Sequence, residues 1–314
     1  MKKTVKTSNG DVEKAKVMAR QVIEHHFKAK PKRVTYQAEG LSNFVFWVQH
    51  DEGEFIVRIG QSPGKINAYI KEQWAVAKAR EVGVPAPEIL EVGNEVIPAP
   101  FMIARLMRGE VATQHPEKMA ILHEMGRYAA LINTIVTEGY GSIFDWSNNQ
   151  LSRNASWRDF LFQELKLEAR LGILKKYKML TPKKLRLLAQ LLEKGAGRNH
   201  KPRLNHGDVR LKNVLVNKQG KITAILDWEH CMSNVAPYWD LSLALHDLSI
   251  DEKQELLAGY GITEESFTEI APLIKALNII NYAPHIEQFG EVQNTAQLDK
   301  YRLRLSGTLD LYSL

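Results

Sequence analysis

The run LNHGDVRLKNVLVNK at 204–218, followed by ITAILDWEH at 222–230, sets four polar residues, His206, Asp208, Asn213 and Asp227, at the ends of short, strongly apolar segments. VLV at 214–216 and TAIL at 223–226, joined by a turn at 217–220, predict a β-hairpin with a polar residue at each outer end. A hairpin brings its two ends together, so Asn213 and Asp227 are expected to converge. Asp208, on the loop entering the hairpin, is expected to face the same point. Two carboxylates and an amide oxygen form a hard, all-oxygen donor set, which suits Mg²⁺ when phosphate oxygens and waters complete the octahedron. Any one of these residues alone reads as turn chemistry. The joint spacing is what points to a metal.

The rest of the chain divides by periodicity. Residues 11–28 follow an amphipathic helical pattern, with Val17, Val22, Ile23 and Phe27 on one side. Strands are predicted at 33–38, 43–49 and 54–59, then a helix over about 66–82 that Gly83, Pro85 and Pro87 terminate. Strands near 88–92 and 101–106 complete an antiparallel sheet crossed by one helix. From about 113 onward the pattern is mostly helical apart from the hairpin. This predicts an α+β chain of two lobes: a small antiparallel-sheet lobe over 1–106, a hinge at about 104–110, and a larger, mostly helical lobe over 107–314. At 314 residues the chain is long enough for both.

The small lobe carries features suited to phosphate. The turn Glu39-Gly40-Leu41-Ser42-Asn43 lies between two strands, where backbone amides and the Ser42 hydroxyl can approach phosphate oxygens. Arg58, in FIVRIG, ends the next strand with a permanent, forked cation, and Glu72 follows 14 residues later on the helix, placed to hold it. A cation on the third strand paired with a Glu on the next helix is the arrangement of kinases, as is the spacing H-G-D-x-x-x-x-N, strand, turn, strand, Asp. FMIARLMRG at 101–109 is an apolar strand running into a glycine, and its backbone suits an adenine edge at the hinge.

With these segments in order, the chain resembles the aminoglycoside phosphotransferase and choline kinase family, small-molecule kinases with a protein-kinase-like fold. The resemblance covers roughly 33–285 and rests on HGDVRLKN, ILDWE and PYWDLSLAL, with LSNFVFWV, FIVRI, GVPAPEIL and FMIARLMRGE in the family's order. It implies Asp208 as catalytic base, Asn213 and Asp227 as Mg²⁺ ligands, and Arg58 with Glu72 as a phosphate clamp. Ser42 and Asn43 would also meet the nucleotide, and the backbones of Arg105 and Met107 would contact adenine. Asp240 would fix the catalytic loop. Many members carry Lys where Arg58 stands, and others carry Arg.

The expected reaction moves the γ-phosphoryl group of ATP to a hydroxyl, with GTP left open as donor. Glu229, His230, Tyr238, Trp239 and Asp247, with Trp157 and Glu164 from the helical region, are the candidate acceptor-lining residues; Glu229 is also close enough in sequence to Asp227 to assist the metal. Acidic and aromatic groups together favour a cationic acceptor, an aminoglycoside-like molecule or an amino alcohol or sugar. Charge is unevenly spread: residues 201–314 hold 15 acids against 11 bases, and residues 1–200 hold 21 against 31. The lysines are not interleaved with aromatics, so nucleic acid is not an expected partner. MKKTVKTSNG has no apolar stretch behind its lysines and Cys231 is a lone cysteine, which predicts a cytoplasmic protein without membrane attachment, as monomer or homodimer. The competing class is a catalytically weak, kinase-like nucleotide-binding module with a regulatory role. The complete set Asp208, Asn213 and Asp227 argues for the enzyme.

Overall fold

Alternation along the third strand decides how the first part of the molecule is built. The structure is a computed structural model that describes residues 9–37, 43–145, 150–151, 154–246, 248–307 and 309. In β3 (Gly53–Gly60), Phe55, Val57 and Ile59 are buried on one face, and Arg58 necessarily points to the other. Helix α1 (Asn9–Phe27) covers the Val57 face with Ala15, Ala19, Val22 and Ile23, which recur at helical spacing. Val17, expected on that face, is 55% exposed, because two residues from Ala15 and Ala19 is the far side of a helix. Helix α2 (Lys65–Glu81) buries Tyr69, Glu72, Ala75, Val76 and Ala79, and Glu72 meets the face that carries Arg58.

The sheet is antiparallel, in the order β1 (Arg33–Gln37), β2 (Asn43–His50), β3, β5 (Phe101–Arg105), β4 (Ile89–Gly93). The expected hairpin forms from Val214–Val216 and Ile222–Ile225, in the register Val214↔Ile225. Its first strand also pairs with β6 (Glu110–Val111), and the Ile225 amide donates to the Pro85 carbonyl.

These bonds explain why the compact units are cut differently from a single division near residue 106. One unit comprises Met1–Ala112 with Val214–Glu229, and the other Thr113–Asn213 with His230–Leu314. The hairpin follows its backbone partners into the first unit, although in sequence it lies amid helices.

The second unit is built of helices around Trp157, Phe160, Leu188, Trp239, Leu277 and Ile280. Thr181 caps the helix Pro182–Ala196, and a reciprocal Ser249–Glu252 capping box opens Ile250–Tyr260. Helix α3 (Lys118–Ile132) crosses Ile250–Tyr260 so closely that a Cβ on Gly259 would lie 1.9 Å from the His123 carbonyl oxygen. That contact sets Tyr260 beside Asn133. A two-stranded ribbon, Pro202–Asn205 against Met232–Val235, ends where the sequence HGD begins. Among the described residues no helix is long and apolar enough to cross a membrane.

Candidate active site

In the first unit, Arg58 Nη1 donates to both oxygens of Glu72, at 2.7 and 2.9 Å. Burial pulls the guanidinium toward deprotonation, but the charge of Glu72, aided by Tyr69 and Glu229, more than offsets it and holds Arg58 charged. Its guanidinium also stacks 5.3 Å from the Tyr69 ring centre. Glu229 joins the same cluster: its carboxylate is 4.0 Å from Arg58 Nη2 and 3.4 Å from Lys65 Nζ, and its carbonyl accepts from Lys71 Nζ at 3.0 Å. Asp227, two residues past the hairpin strand, is half-buried at φ 65°, a left-handed backbone that Asp tolerates better than most residues.

In the second unit, the chain leaves Pro202–Asn205 through His206, Gly207 and Asp208. Gly207 stands at φ 79°, and a Cβ there would fall 2.2 Å from the His230 carbonyl oxygen, so this turn accepts only glycine. Asp240, completely buried at the start of the helix Tyr238–Ala244, accepts from the amides of His206 (3.0 Å) and Gly207 (2.8 Å) and from Asn133 Nδ2 (2.9 Å). Asn133 is itself set by the Tyr260 hydroxyl at 2.7 Å. Burial pushes the Asp240 carboxyl up to about 6, against the pull of its three donors.

Asp208 is buried as well, and its surroundings are cationic. Its carboxylate meets Arg210, Lys212 Nζ at 2.9 Å and Asn213 Nδ2 at 2.8 Å. Burial pushes its carboxyl up, but the Lys212 bond, the Arg210 charge and the Asn213 bond together win and hold it below the usual Asp value. Asn213 gives Nδ2 to the Asp208 carbonyl at 2.9 Å and to its carboxylate at 2.8 Å, and no hydrogen bond among the described residues uses its Oδ1.

The model of the phosphotransferase enzyme family APH matches residues 33–273, more than three quarters of the chain. The chain belongs to that family. It is therefore a small-molecule phosphotransferase acting on hydroxyl groups. No curated protein sequence matches it. Among solved structures its fold is similar to aminoglycoside phosphotransferase APH(4)-Ia, at 18% identity over 93% of this chain and 97% of that one, with a TM-score of 0.68. It is also similar to a thermostable mutant of that enzyme in ternary complex with AMP-PNP and hygromycin B, at 17% identity over 93% and 99% of the chains, TM-score 0.66. The GDP and kanamycin complex of APH(2")-IIia is a third, at 14% identity over 91% and 96%, TM-score 0.59.

For this phosphotransferase, several side chains proposed from sequence have partners within the protein. Glu164 accepts from the Ser142 amide and hydroxyl (2.9 and 2.7 Å) and from Asn154 Nδ2 (2.8 Å), bonds that brace a loop. Trp157 is buried and gives its indole N–H to Asn234 Oδ1 at 3.0 Å. Glu229 belongs with Arg58 and Lys65. Trp239 is buried against Phe160. His230 is exposed and Tyr238 half-buried, so these two keep surface to offer.

Of the residues expected to meet the nucleotide, Asn43 is buried and accepts from the Tyr69 hydroxyl at 2.8 Å, tying β2 to α2. The Arg105 amide donates to the Glu88 carbonyl at 2.8 Å. Met107 lies in the irregular stretch after β5. Ser42 and Asp247 lie outside the described residues. Sequence reading missed Lys65 and Lys212; the second is four residues from Asp208, and the short 3-10 turn at Leu211–Asn213 folds the chain back so that the two side chains meet.

Proposed function

We propose that this phosphotransferase uses ATP and Mg²⁺ to phosphorylate a hydroxyl of a small, cationic acceptor, with Asp208 as the base. The observation that carries this reading is the state of Asp208: a buried carboxylate kept ionised by Lys212, Arg210 and Asn213, on a loop whose backbone is pinned by Asp240. A base that must accept a hydroxyl proton has to be anionic and fixed, and both conditions are met. In this assignment Asp208 orients the hydroxyl and takes its proton as the oxygen attacks phosphorus. Arg58, braced by Glu72, meets phosphate oxygens.

Asn213 and Asp227 are assigned as the metal-holding residues. No three His, Cys, Asp or Glu side chains able to hold a metal group together among the described residues. The donor set is instead one amide and one carboxylate oxygen, the small protein share that Mg²⁺ takes when phosphates and water supply the rest. Bound there, the ion would neutralise charge on the transferring phosphate.

The acidic balance of residues 201–314 supports a cationic acceptor. So does the similarity to enzymes crystallised with hygromycin B or kanamycin. Exposed His230 and half-buried Tyr238, with Asp247, are the foremost acceptor candidates.

The test is acceptor-dependent ADP formation with ATP and Mg²⁺ over aminoglycosides, amino alcohols and neutral sugars, with Asp208→Asn as control. Transfer to a cationic acceptor that Asp208→Asn abolishes is the expected result. Tight Mg·ATP binding with no transfer to any acceptor would make the chain a kinase-like binding module. A neutral sugar as best acceptor would retain the kinase and remove the charge argument. Separately, titration calorimetry with Mg·ATP should show a larger loss of affinity for Asp227→Ala than for Asn213→Ala, since only the first removes a charged ligand. Equal affinity in Asp227→Ala and wild type would remove Asp227 from the metal site.

A further inference from the structure

Two adjoining cavities of the second unit, about 320 and 430 Å³, share Lys253 and Phe267 as a common wall. The smaller is mainly apolar, lined by Leu257, Ile262 and Phe267, with Glu264 exposed at its edge. The larger is lined by Lys253 and Lys275 from two different helices, with Ser242, Asn278 and Tyr282 among its other lining residues. Their combined volume falls in the range of roughly 300–1,000 Å³ usual for small-molecule sites.

Charge in the larger cavity is arranged against itself. Lys275 is half-buried, and its ammonium titrates below the ordinary lysine range, first because burial disfavours its charge and then because Lys253 repels it. Two ammonium groups, Lys253 and Lys275, that repel each other in one concave, partly desolvated place are relieved by an anion seated between them. The apolar cavity alongside adds a surface for the uncharged part of such an anion.

We propose that the double cavity binds a small amphiphilic organic anion, its phosphate or carboxylate head between Lys253 and Lys275 and its apolar body over Phe267 toward Leu257 and Ile262. None of Arg58, Asp208, Asn213 and Asp227 lines either cavity, so the site stands apart from the residues assigned to phosphoryl transfer. The cationic lining also makes it a poor seat for the cationic acceptor.

Octyl phosphate, inorganic phosphate and 1-octanol, each titrated by calorimetry into the full chain below micelle-forming concentration, test the proposal. Octyl phosphate should bind saturably at a single site, with inorganic phosphate roughly tenfold weaker or more for lack of the apolar body, and 1-octanol weaker still for lack of charge. Lys275→Met and Lys253→Met should each weaken octyl phosphate about tenfold, the worth of one charge-assisted contact. Phe267→Ala should weaken octyl phosphate and leave inorganic phosphate unchanged. Arg58→Ala should bind octyl phosphate as the wild type does. Absence of saturable octyl phosphate binding overturns the proposal. So does wild-type affinity in both lysine variants once circular dichroism shows them folded, or a loss of binding in a folded Arg58→Ala, which would place the ligand at the nucleotide clamp.

Discussion

Glu72 in the first unit and Asp240 in the second are both buried carboxylates, and they are satisfied by opposite means. Glu72 is met by a guanidinium, whose charge does not titrate in any working range. Among the described residues Asp240 is met by neutral donors, two backbone amides and an asparagine, and its carboxyl is left near the acidic end of the physiological range. Burial lifts the Glu72 carboxyl above the ordinary Glu value too, against the charge and the bonds of Arg58, so in this brace it is the guanidinium that is indifferent to pH. Neutral donors make a precise but titratable anchor, because they orient the carboxylate without repaying its full desolvation.

The largest effect should come from breaking the brace. Glu72→Ala removes the carboxylate that buried Arg58 meets at 2.7 and 2.9 Å, and urea unfolding should show a loss of about 3–5 kcal/mol. The same variant should weaken ATP binding more than adenosine binding, as should Arg58→Ala. A loss in stability below about 1 kcal/mol would reduce the pair to an ordinary surface contact.

Next is the residue that the Asp240 anchor serves. Asp208→Asn should reduce turnover by about 10²-fold or more while the fold and nucleotide affinity persist, since the amide fills the same space and takes no proton. Near-normal kcat would remove Asp208 as the base and leave the anchor without a catalytic purpose.

The anchor itself should give a smaller effect with a distinctive pH signature. Asp240→Asn offers one acceptor oxygen to three donors and should cost about 1–3 kcal/mol. For wild type, the folded-state value near 6 lies above the ordinary 3.8, so the folded protein holds this proton more tightly than the unfolded chain does. Asp240's contribution to stability is therefore full below 3.8 and is lost as pH rises through about 6. Denaturant midpoints across that window should show this decline in wild type and lack it in Asp240→Asn; identical slopes would mean that the carboxyl is not held as described.

The smallest change separates the two parts of the first-unit cluster. Glu229→Gln releases Lys65 and leaves Arg58–Glu72 intact, so stability should move by less than about 1 kcal/mol. A loss as large as that of Glu72→Ala would make Glu229, not Glu72, the principal partner of Arg58.

Local order was legible wherever one stretch of chain determines it. The two-residue period of FIVRIG set Arg58 opposite Val57 and Ile59, and the apolar runs around Asn217–Gly220 gave the hairpin, because strand alternation and turn chemistry are properties of adjacent residues. The same pattern brought Asn213 within reach of Asp208 inside a five-residue interval. Helical phase is less forgiving, and Val17 fell on the wrong side of α1 because several faces fit a short apolar pattern.

Tertiary structure decided the pairings between distant segments. That Glu164 closes on Ser142 and Asn154, that Glu229 meets Lys65, 164 residues away, and that the hairpin pairs with β6 depend on which surfaces pack together, and no local period encodes that. The crowding of Lys253 and Lys275 around one cavity has the same origin. They come from different helices, each with an ordinary charge pattern, and only packing sets the two ammonium groups against each other. Sequence alone determined which residues can do chemistry here; the distances that make a carboxylate a base, a brace or an anchor came from the fold, because electrostatic energy depends on separation and burial and not on order along the chain.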